Sequence, residues 1–448
     1  MFLRKKIAPI HPDYDRFQYS AVFDYKTQVG AVQSYLYYDV SGAPTSDYQL
    51  TLNVWFKLAF GLSNTAFLWD NDDNGFRVFL GSVDRQIIIR INDGVNKDST
   101  LAQRFRLVDN QHGLWHNLHI TINTQADVGQ RVLAWLNFEP GLLTQIEPDY
   151  NTPIDALADG NNFFIGQQNT TGNNPLYGLL CAPIVIDGAV LPYTDFYIKL
   201  NGVWYPKIFA KDYGTHGFSP AFLDDSDLGE DNYGPGNDLT ESGMRTYYQR
   251  ADNPWNNFPI WDAANGGGST FTMYEAGALY NSLLPSGSWH GCRATVEIPS
   301  SGKWYFELRN KAHWGTGGFG GGGGVCDASY SPTSDPYNNA DTVCYSGASR
   351  DIYTGNLVRT NYFDANPEND WVGVCVNRDD NEISFSEGGT QKTAYSFGAG
   401  ESLWAVARSG YVGSDYHPIE VNFGDRAFAY TPPTGYNTLS EINIAAAA

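Results

Sequence analysis

VIDGAVLPYTDFYIKLNGVWYPKIFAKDYGTHGFSPAFLDD, residues Val185–Asp225, is the stretch on which the reading of this chain turns. Val185-Ile186 runs as a strand into Asp187-Gly188, a pair that accepts the backbone twist of a tight turn. Leu191-Pro192 ends regular pairing, and Asn201-Gly202 supplies a second turn before Val203-Trp204-Tyr205-Pro206. Tyr213-Gly214-Thr215-His216-Gly217-Phe218 then leads into an acidic, glycine-punctuated segment. The stretch closes one β-rich half and opens another, so a join between two domains is expected here.

Outward from this join the same grammar recurs. Leu50, Leu52, Val54 and Phe56 alternate with polar residues, as do Phe76, Val78 and Leu80, and then Leu118, Ile120 and Ile122. A second alternating set begins at Lys303: Trp304, Phe306 and Leu308, then Val372, Val374 and Val376, then Ile383 and Phe385, then Ile419, Val421 and Phe423. The 448 residues hold 47 Gly, 29 Tyr, 25 Phe and 12 Trp with only 17% charged residues, a composition that fits β-sandwiches better than helical bundles. The expected fold class is all-β: two antiparallel, jelly-roll-like sandwiches joined by an extended connector. An N-terminal arm is expected over 1–20, the first sandwich over 21–205, an acidic, Gly/Asn-rich connector over 206–290 and the second sandwich over 291–440.

The net charge of −21 argues against nucleic acid or an anionic membrane as partner, because phosphate binding needs clustered Lys and Arg. The N-terminus lacks an apolar run of signal-peptide length, and nothing approaches a membrane-spanning length. Five scattered cysteines without CxxC spacing predict buried thiols, formed in a reducing cytoplasm, and neither a zinc site nor a disulfide framework. No cofactor is expected.

Three candidate sites follow from the residues. Asp70, Asp72 and Asn74 match the opening of a calcium loop, but the twelfth position is Gly81 instead of a bidentate Glu, and an Asn-Gly hairpin turn explains the same residues. Trp314, Tyr330 and Tyr337 lie in a Gly/Ser/Pro/Asn-rich region where burial is harder, and are candidates for stacking on glycan, with domain packing as the competing role. Phe2, Leu3, Arg4, Lys5, Lys6 and Ile7 combine the only locally basic stretch with apolar side chains, and are candidates for docking onto a partner. The run Gly315–Gly324 is either a mobile loop or a place of close backbone approach. Trp55, Trp115, Trp304 and Trp371 are expected in the core.

LTLNVWFK, LWHNLHITINT, VLAWLNFEPG, NNFFIGQQN and YGLLCAPIVIDGAVLPYTDFYIKLNGVWYPKIF resemble the laminin-G-like, concanavalin A-like sandwiches of bacteriophage structural proteins. YGTHGFSPAFLDDSDLGED through NPWNNFPIWDAAN is similar to the connector that follows in such proteins. From Gly302-Lys303-Trp304-Tyr305-Phe306-Glu307 to Val421-Asn422-Phe423-Gly424-Asp425-Arg426 and on to Tyr436, the chain resembles a SPRY-type sandwich of phage origin. Together these cover roughly nine-tenths of the chain. The resemblance implies a surface protein of a tailed phage, a head fibre, decoration or tail-fibre-like component. Its implied partners are other virion proteins of capsid or tail, copies of itself in a homo-oligomer, and a host-surface glycan. A polysaccharide depolymerase is the alternative, and a peptide-binding SPRY adaptor a third. A retaining glycosidase needs two carboxylates roughly 5 Å apart on one strand face. Glu297, Glu307 and Glu420 instead stand singly in their strands. His290 lies near Cys292 in sequence without an evident orienting group.

Overall fold

The computed structural model describes residues 13, 16–24, 33–59, 66–71, 75–81, 86–91, 97–104, 113–141, 143–145, 147–168, 174–267, 271–282, 289–311, 320–367, 369–398, 401–412 and 415–447. They form two compact units, one ending at Trp255 and one beginning at Asn256. Both are built from antiparallel sheets paired as sandwiches.

In the first unit the long strand Gln49–Leu58 lies between Trp115–Asn123 and Gly178–Asp187. Val132–Leu136 and Glu139–Pro140 extend this sheet on one side, Ser20–Phe23 and Gln249–Arg250 on the other. The facing sheet runs Leu143–Gln145, Lys97–Arg104, Gln86–Ile91, Phe76–Leu80, Ala66–Asn71, Asn162–Ile165, Tyr35–Asp39 and Thr240–Ser242. Leu52 sits opposite Ile120 and Val54 opposite Leu118, so one apolar face is continuous across the two strands. Leu52, Val54, Phe56, Leu118, Ile120 and Ile122 are all buried.

The alternate face of the same strands is buried as well. Thr51, Asn53, Trp55 and Lys57 point away from the apolar face, yet Lys57 is only 1% exposed. The chain after residue 188 covers them and bonds to several polar side chains on this face. The Thr51 hydroxyl donates to Ala189 O at 2.7 Å, His119 Nε2 donates to Leu191 O at 3.0 Å, and Asn117 donates to Val54 O and the Tyr197 hydroxyl. Lys57 Nζ pairs with the Asp252 carboxylate at 2.5 Å, and Trp115 Nε1 donates to the same carboxylate at 2.8 Å.

This covering corrects the expected connector. Residues 206–255 belong to the first unit, where Thr240–Ser242 pairs with Tyr35–Asp39 and Gln249–Arg250 pairs with Ser20–Phe23. The acidic turns fold around Asp231, whose carboxylate accepts the N–H groups of Ser219, Gly234, Gly236 and Asn237. Residues 256–290 belong to the second unit: Trp261–Gly266 pairs with Trp289–Ile298, and Leu279–Ser282 with Ile419–Asn422. Strands of two to four residues carry too little alternation to register in sequence, but a sheet edge with open backbone groups recruits them. The expected arm is shortened for the same reason. Phe17 is buried against Tyr233, whose hydroxyl donates to Arg16 O, and Ser20–Phe23 is already a strand. Phe2, Leu3, Arg4, Lys5, Lys6 and Ile7 lie outside the described residues.

In the second unit one sheet runs Trp261–Gly266, Trp289–Ile298, Leu403–Val412, Gly322–Asp327, Thr342–Ser346, Ile352–Thr354 and Asn356–Arg359. The other runs Phe271–Tyr274, Leu279–Ser282, Ile419–Asn422, Lys303–Asn310, Trp371–Asn377, Glu382–Glu387 and Thr390–Gln391. Trp304, Phe306, Leu308, Val372, Val374 and Val376 fill its core. The described end of the glycine run is a close approach of backbones. A Cβ on Gly322 would meet Tyr345 O at 2.1 Å, and one on Gly324 would meet Val343 O at 2.0 Å. The outer face is again covered by later chain: Glu307, fully buried, accepts the N–H groups of Ala429 and Tyr430, both at 2.9 Å, and the Tyr305 hydroxyl at 3.0 Å. Burial raises the Glu307 pKa, and those backbone donors oppose the rise. All five cysteines are buried free thiols. Among the described residues no helix is long and apolar enough to cross a membrane.

Removing the cation from a buried pair leaves an uncompensated charge. Lys57→Met is therefore expected to cost about 3–5 kcal/mol in urea unfolding of the first unit. Adding Asp252→Asn should recover more than half of that loss, because the charge then goes with its partner. A Lys57→Met protein as stable as the parent would show that this pair does not hold the covering segment.

Candidate functional site

Where the segment 189–213 folds over the first sheet it leaves a strip of half-buried aromatic rings: Trp135, Phe138, Tyr193 and Trp204. Each ring has a local cause. Trp135 lies opposite His119 and on the outer face of its strand. Asn137 and Phe138 form the two-residue turn between Leu136 and Glu139, both with left-handed backbone (φ +53° and +71°). That conformation is costly for phenylalanine, on the order of 1–3 kcal/mol, and it aims the ring at Trp204. Trp204 follows a second two-residue turn, Asn201-Gly202 (φ +50° and +85°).

Phe138 stacks on Trp204 with centroids 4.8 Å apart and planes 21° apart, while Tyr193 meets Trp204 edge-on at 5.8 Å. Trp135 lies 6.1 Å from Tyr193 and 5.3 Å from the His119 ring beneath. The Lys199 ammonium sits 5.2 Å from the Trp204 centroid. At the rim are exposed Asn137, Lys199 and Glu139, together with an Asp195–Lys211 pair at 2.7 Å. Burial lowers the His119 pKa to about 4, against its hydrogen bond to Leu191 O, so the imidazole beneath the strip is neutral at physiological pH. The strip can offer flat apolar faces with polar groups at its edge. The sequence signal for it was present in two tight turns, each placing an aromatic, and in the aromatic density of residues 193–209.

The expected stacking residues lie elsewhere. Tyr330 and Tyr337 are buried, 2% and 9% exposed, in a cluster with Cys326, Cys344 and Val406. The Tyr330 hydroxyl donates to Ser334 O, and the Tyr337 hydroxyl to Tyr345 O at 2.9 Å. Tyr337 also stacks on Tyr353 at 4.5 Å, and the Arg408 guanidinium lies 3.7 Å from its ring centroid. With its hydroxyl and ring so engaged, Tyr337 has no face left for a sugar. The glycine strand Gly322–Asp327 lets these side chains close over it, which corrects the expectation that a Gly-rich neighbourhood keeps them exposed. Trp314 lies outside the described residues.

At the expected calcium loop, Asp70 is buried and its carboxylate accepts Arg77 Nε at 2.7 Å. Asn71 shapes the hairpin, accepting Phe76 N–H at 3.0 Å and donating to Asp155 O at 2.9 Å. Asp72 and Asn74 lie outside the described residues. Among the described residues no group of three or more His, Cys, Asp or Glu is placed to hold a metal ion.

The second unit presents a charged network on the outer face of Lys303–Asn310. Arg309 lies between Glu420 on one neighbouring strand and Trp371 on the other. Glu420 is 1% exposed and accepts Arg309 Nε at 3.0 Å and Arg426 Nη2 at 2.5 Å, with Lys311 Nζ at 3.7 Å. Lys311 also pairs with buried Glu275 at 2.9 Å. Trp371, expected in the core, is half-buried here. It shares strand parity with Gly373 and Cys375, whereas Val372, Val374 and Val376 face inward, so the outward position follows from the same alternation that identified the strand.

Burial alone would raise the Glu420 pKa; Arg426, Lys311 and Arg309 outweigh it and hold it at about 2. Because the folded value lies below the ordinary one, the stabilisation is complete above about pH 4.5 and is lost as pH falls toward 2. The second unit should therefore lose on the order of 3 kcal/mol between pH 5 and pH 2 from this group, read as a falling urea midpoint. Glu420→Gln should be less stable at neutral pH and lack that part of the slope. A parental slope retained in the variant would assign the acid sensitivity to other carboxylates.

No family model matches the chain, and no curated protein matches it. Among solved structures, it is similar to the SPRY domain of human HERC1 at 14% identity, over 34% of this chain and 91% of that one, with a TM-score of 0.28. The TRIM65 PSpry domain gives 10% identity over 37% of this chain and 92% of that one, with a TM-score of 0.29. A heptameric SAP-like pentraxin from Limulus polyphemus gives 18% identity over 40% of this chain and 79% of that one, with a TM-score of 0.30. These are partial likenesses at low identity and low TM-score, and they carry no argument about fold family or function.

Proposed function

We propose that this chain is a non-enzymatic structural protein of a tailed-phage virion surface, a head-fibre, capsid-decoration or tail-fibre-like component, and that it adheres to host-surface glycan. The strip of Trp135, Phe138, Tyr193 and Trp204 carries the adhesion reading. Sugar rings stack their C–H faces on aromatic rings while their hydroxyls bond to polar groups at the rim. A strained turn holding Phe138 against Trp204 gives such a surface rigidity, which lowers the ordering cost of binding. The virion reading rests on the sequence resemblance to phage surface proteins.

Against the depolymerase alternative stand two of the strand carboxylates. Glu307 spends its oxygens on the backbone of Ala429 and Tyr430, and Glu420 spends its own on guanidinium groups. Neither is free to act as acid, base or nucleophile in a pair.

Two measurements test the proposal. Antibody against the chain should label purified virions in negative stain; particles that stay unlabelled and lack the chain would remove the virion role. The full chain should be retained on immobilised host capsule or lipopolysaccharide without releasing reducing ends. Trp204→Ala and Trp135→Ala should each weaken retention at least about tenfold, with circular dichroism unchanged. Retention indifferent to both substitutions would exclude the strip as the adhesion surface.

A further inference from the structure

We propose that the Trp371 face of the second unit is a binding site for an acidic saccharide, with Arg309, Lys311 and Arg426 taking the carboxylate of a uronic-acid-type sugar and the exposed part of the indole packing against its ring. The network described above is layered by charge. Its carboxylates, Glu275 and Glu420, lie beneath with side chains 1% exposed, whereas the side chains of Arg309, Lys311 and Arg426 are 26%, 23% and 15% exposed. Within this network the groups that reach solvent are the cations. Arg309 gives Nε and Nη2 to Glu420, which leaves its Nη1 without a partner among the described residues.

Both guanidinium groups lie over one ring, at 4.7 Å (Arg309) and 5.2 Å (Arg426) from the Trp371 centroid, which leaves the part of the half-buried indole beyond them for a ligand. The buried carboxylates act as positioning residues that fix the cations around the indole. Glu275 is held there by strained backbone: it and Ala276 both take left-handed φ, +51° and +55°, although neither is glycine. Asp425 lies beside Arg426, and Asp370 accepts the Tyr430 hydroxyl at 2.9 Å at the rim. The anion is therefore bound by direct contact, not by a broad positive field. Glu420, Arg309 and Trp371 form a cross-strand row two strand spacings long, about 10 Å. Lys303–Asn310 has neighbours on both sides, so an extended peptide has no edge to join here. A row of that length, buried at its Glu420 end and reaching solvent at Arg309 and Trp371, suits a short, rigid ring ligand.

The net charge of −21 gives non-specific adsorption of a polyanion the wrong sign, so retention of one reports a local site. The full chain is immobilised and offered a galacturonate hexamer, a neutral glucose hexamer, a sulfated glucose hexamer and poly-glutamate of matched charge. The galacturonate should bind at least about tenfold more tightly than the neutral hexamer or poly-glutamate, and Arg309→Gln should abolish that margin. If Arg309→Gln unfolds the unit, Trp371→Leu, which removes no charge from the network, should still lower galacturonate affinity about tenfold. Equal binding of the neutral hexamer, equal binding of poly-glutamate, preference for the sulfated hexamer alone, or galacturonate binding unchanged in a folded Trp371→Leu protein would each overturn the proposal. The site lies on the second unit, so its test stands apart from that of the aromatic strip.

Discussion

A lysine 1% exposed near the end of a central β-sandwich strand is tolerable only if the fold brings it a carboxylate. Lys57 obtains one from Asp252, nearly two hundred residues later in the chain, and Trp115 shares it. That requirement makes the segment after the sandwich part of the sandwich. Residues 189–255 lie back over the outer face, bond to Thr51, Asn117, His119 and Lys57, and finish both sheets with short edge strands. The second unit obeys the same constraint. Glu307, on the outer face of its central strand, is buried because residues 429 and 430 bring it two backbone donors.

Covering both faces limits where a binding surface can form. In the first unit a strip of half-exposed rings lies at the margin of the covering segment, where Phe138 reaches up from one turn to meet Trp204 from another. In the second unit the outer face is left open where Trp371 meets two arginines. Carboxylates in both units are used in construction. Asp231 and Asp252 organise the covering chain, and Glu307 and Glu420 are saturated by donors.

The glycine run shows how a local signal can point both ways. Glycine at 320–324 suggests openness when read as composition, yet each Cβ would strike a neighbour, from the Trp289 ring at Gly320 to Val343 O at Gly324. The missing side chains allow dense packing, and Tyr330 and Tyr337 are drawn into it. Arg408 lies 3.7 Å from the centroids of both Trp289 and Tyr337 and binds Asp335 through two nitrogens, which closes the region further.

The sequence by itself determined the all-β class and the apolar faces of the long strands. It also marked the turn at Asn201-Gly202 and the hairpin at Asn71, because period-two alternation and positive-φ residues are local properties of a chain. It contained the parity that turns Trp371 outward, although tryptophan's size argued for the core. Only the tertiary structure decided what covers the polar faces. The partners of Lys57, His119 and Glu307 lie between roughly seventy and two hundred residues away, and no spacing rule links them. The same holds for the rings of the strip: Trp135 and Phe138 meet Tyr193 and Trp204 only after the chain has folded back across the sheet. Segments with two to four residues in each strand were likewise invisible until a sheet edge paired them, since their alternation is shorter than the period that would reveal it.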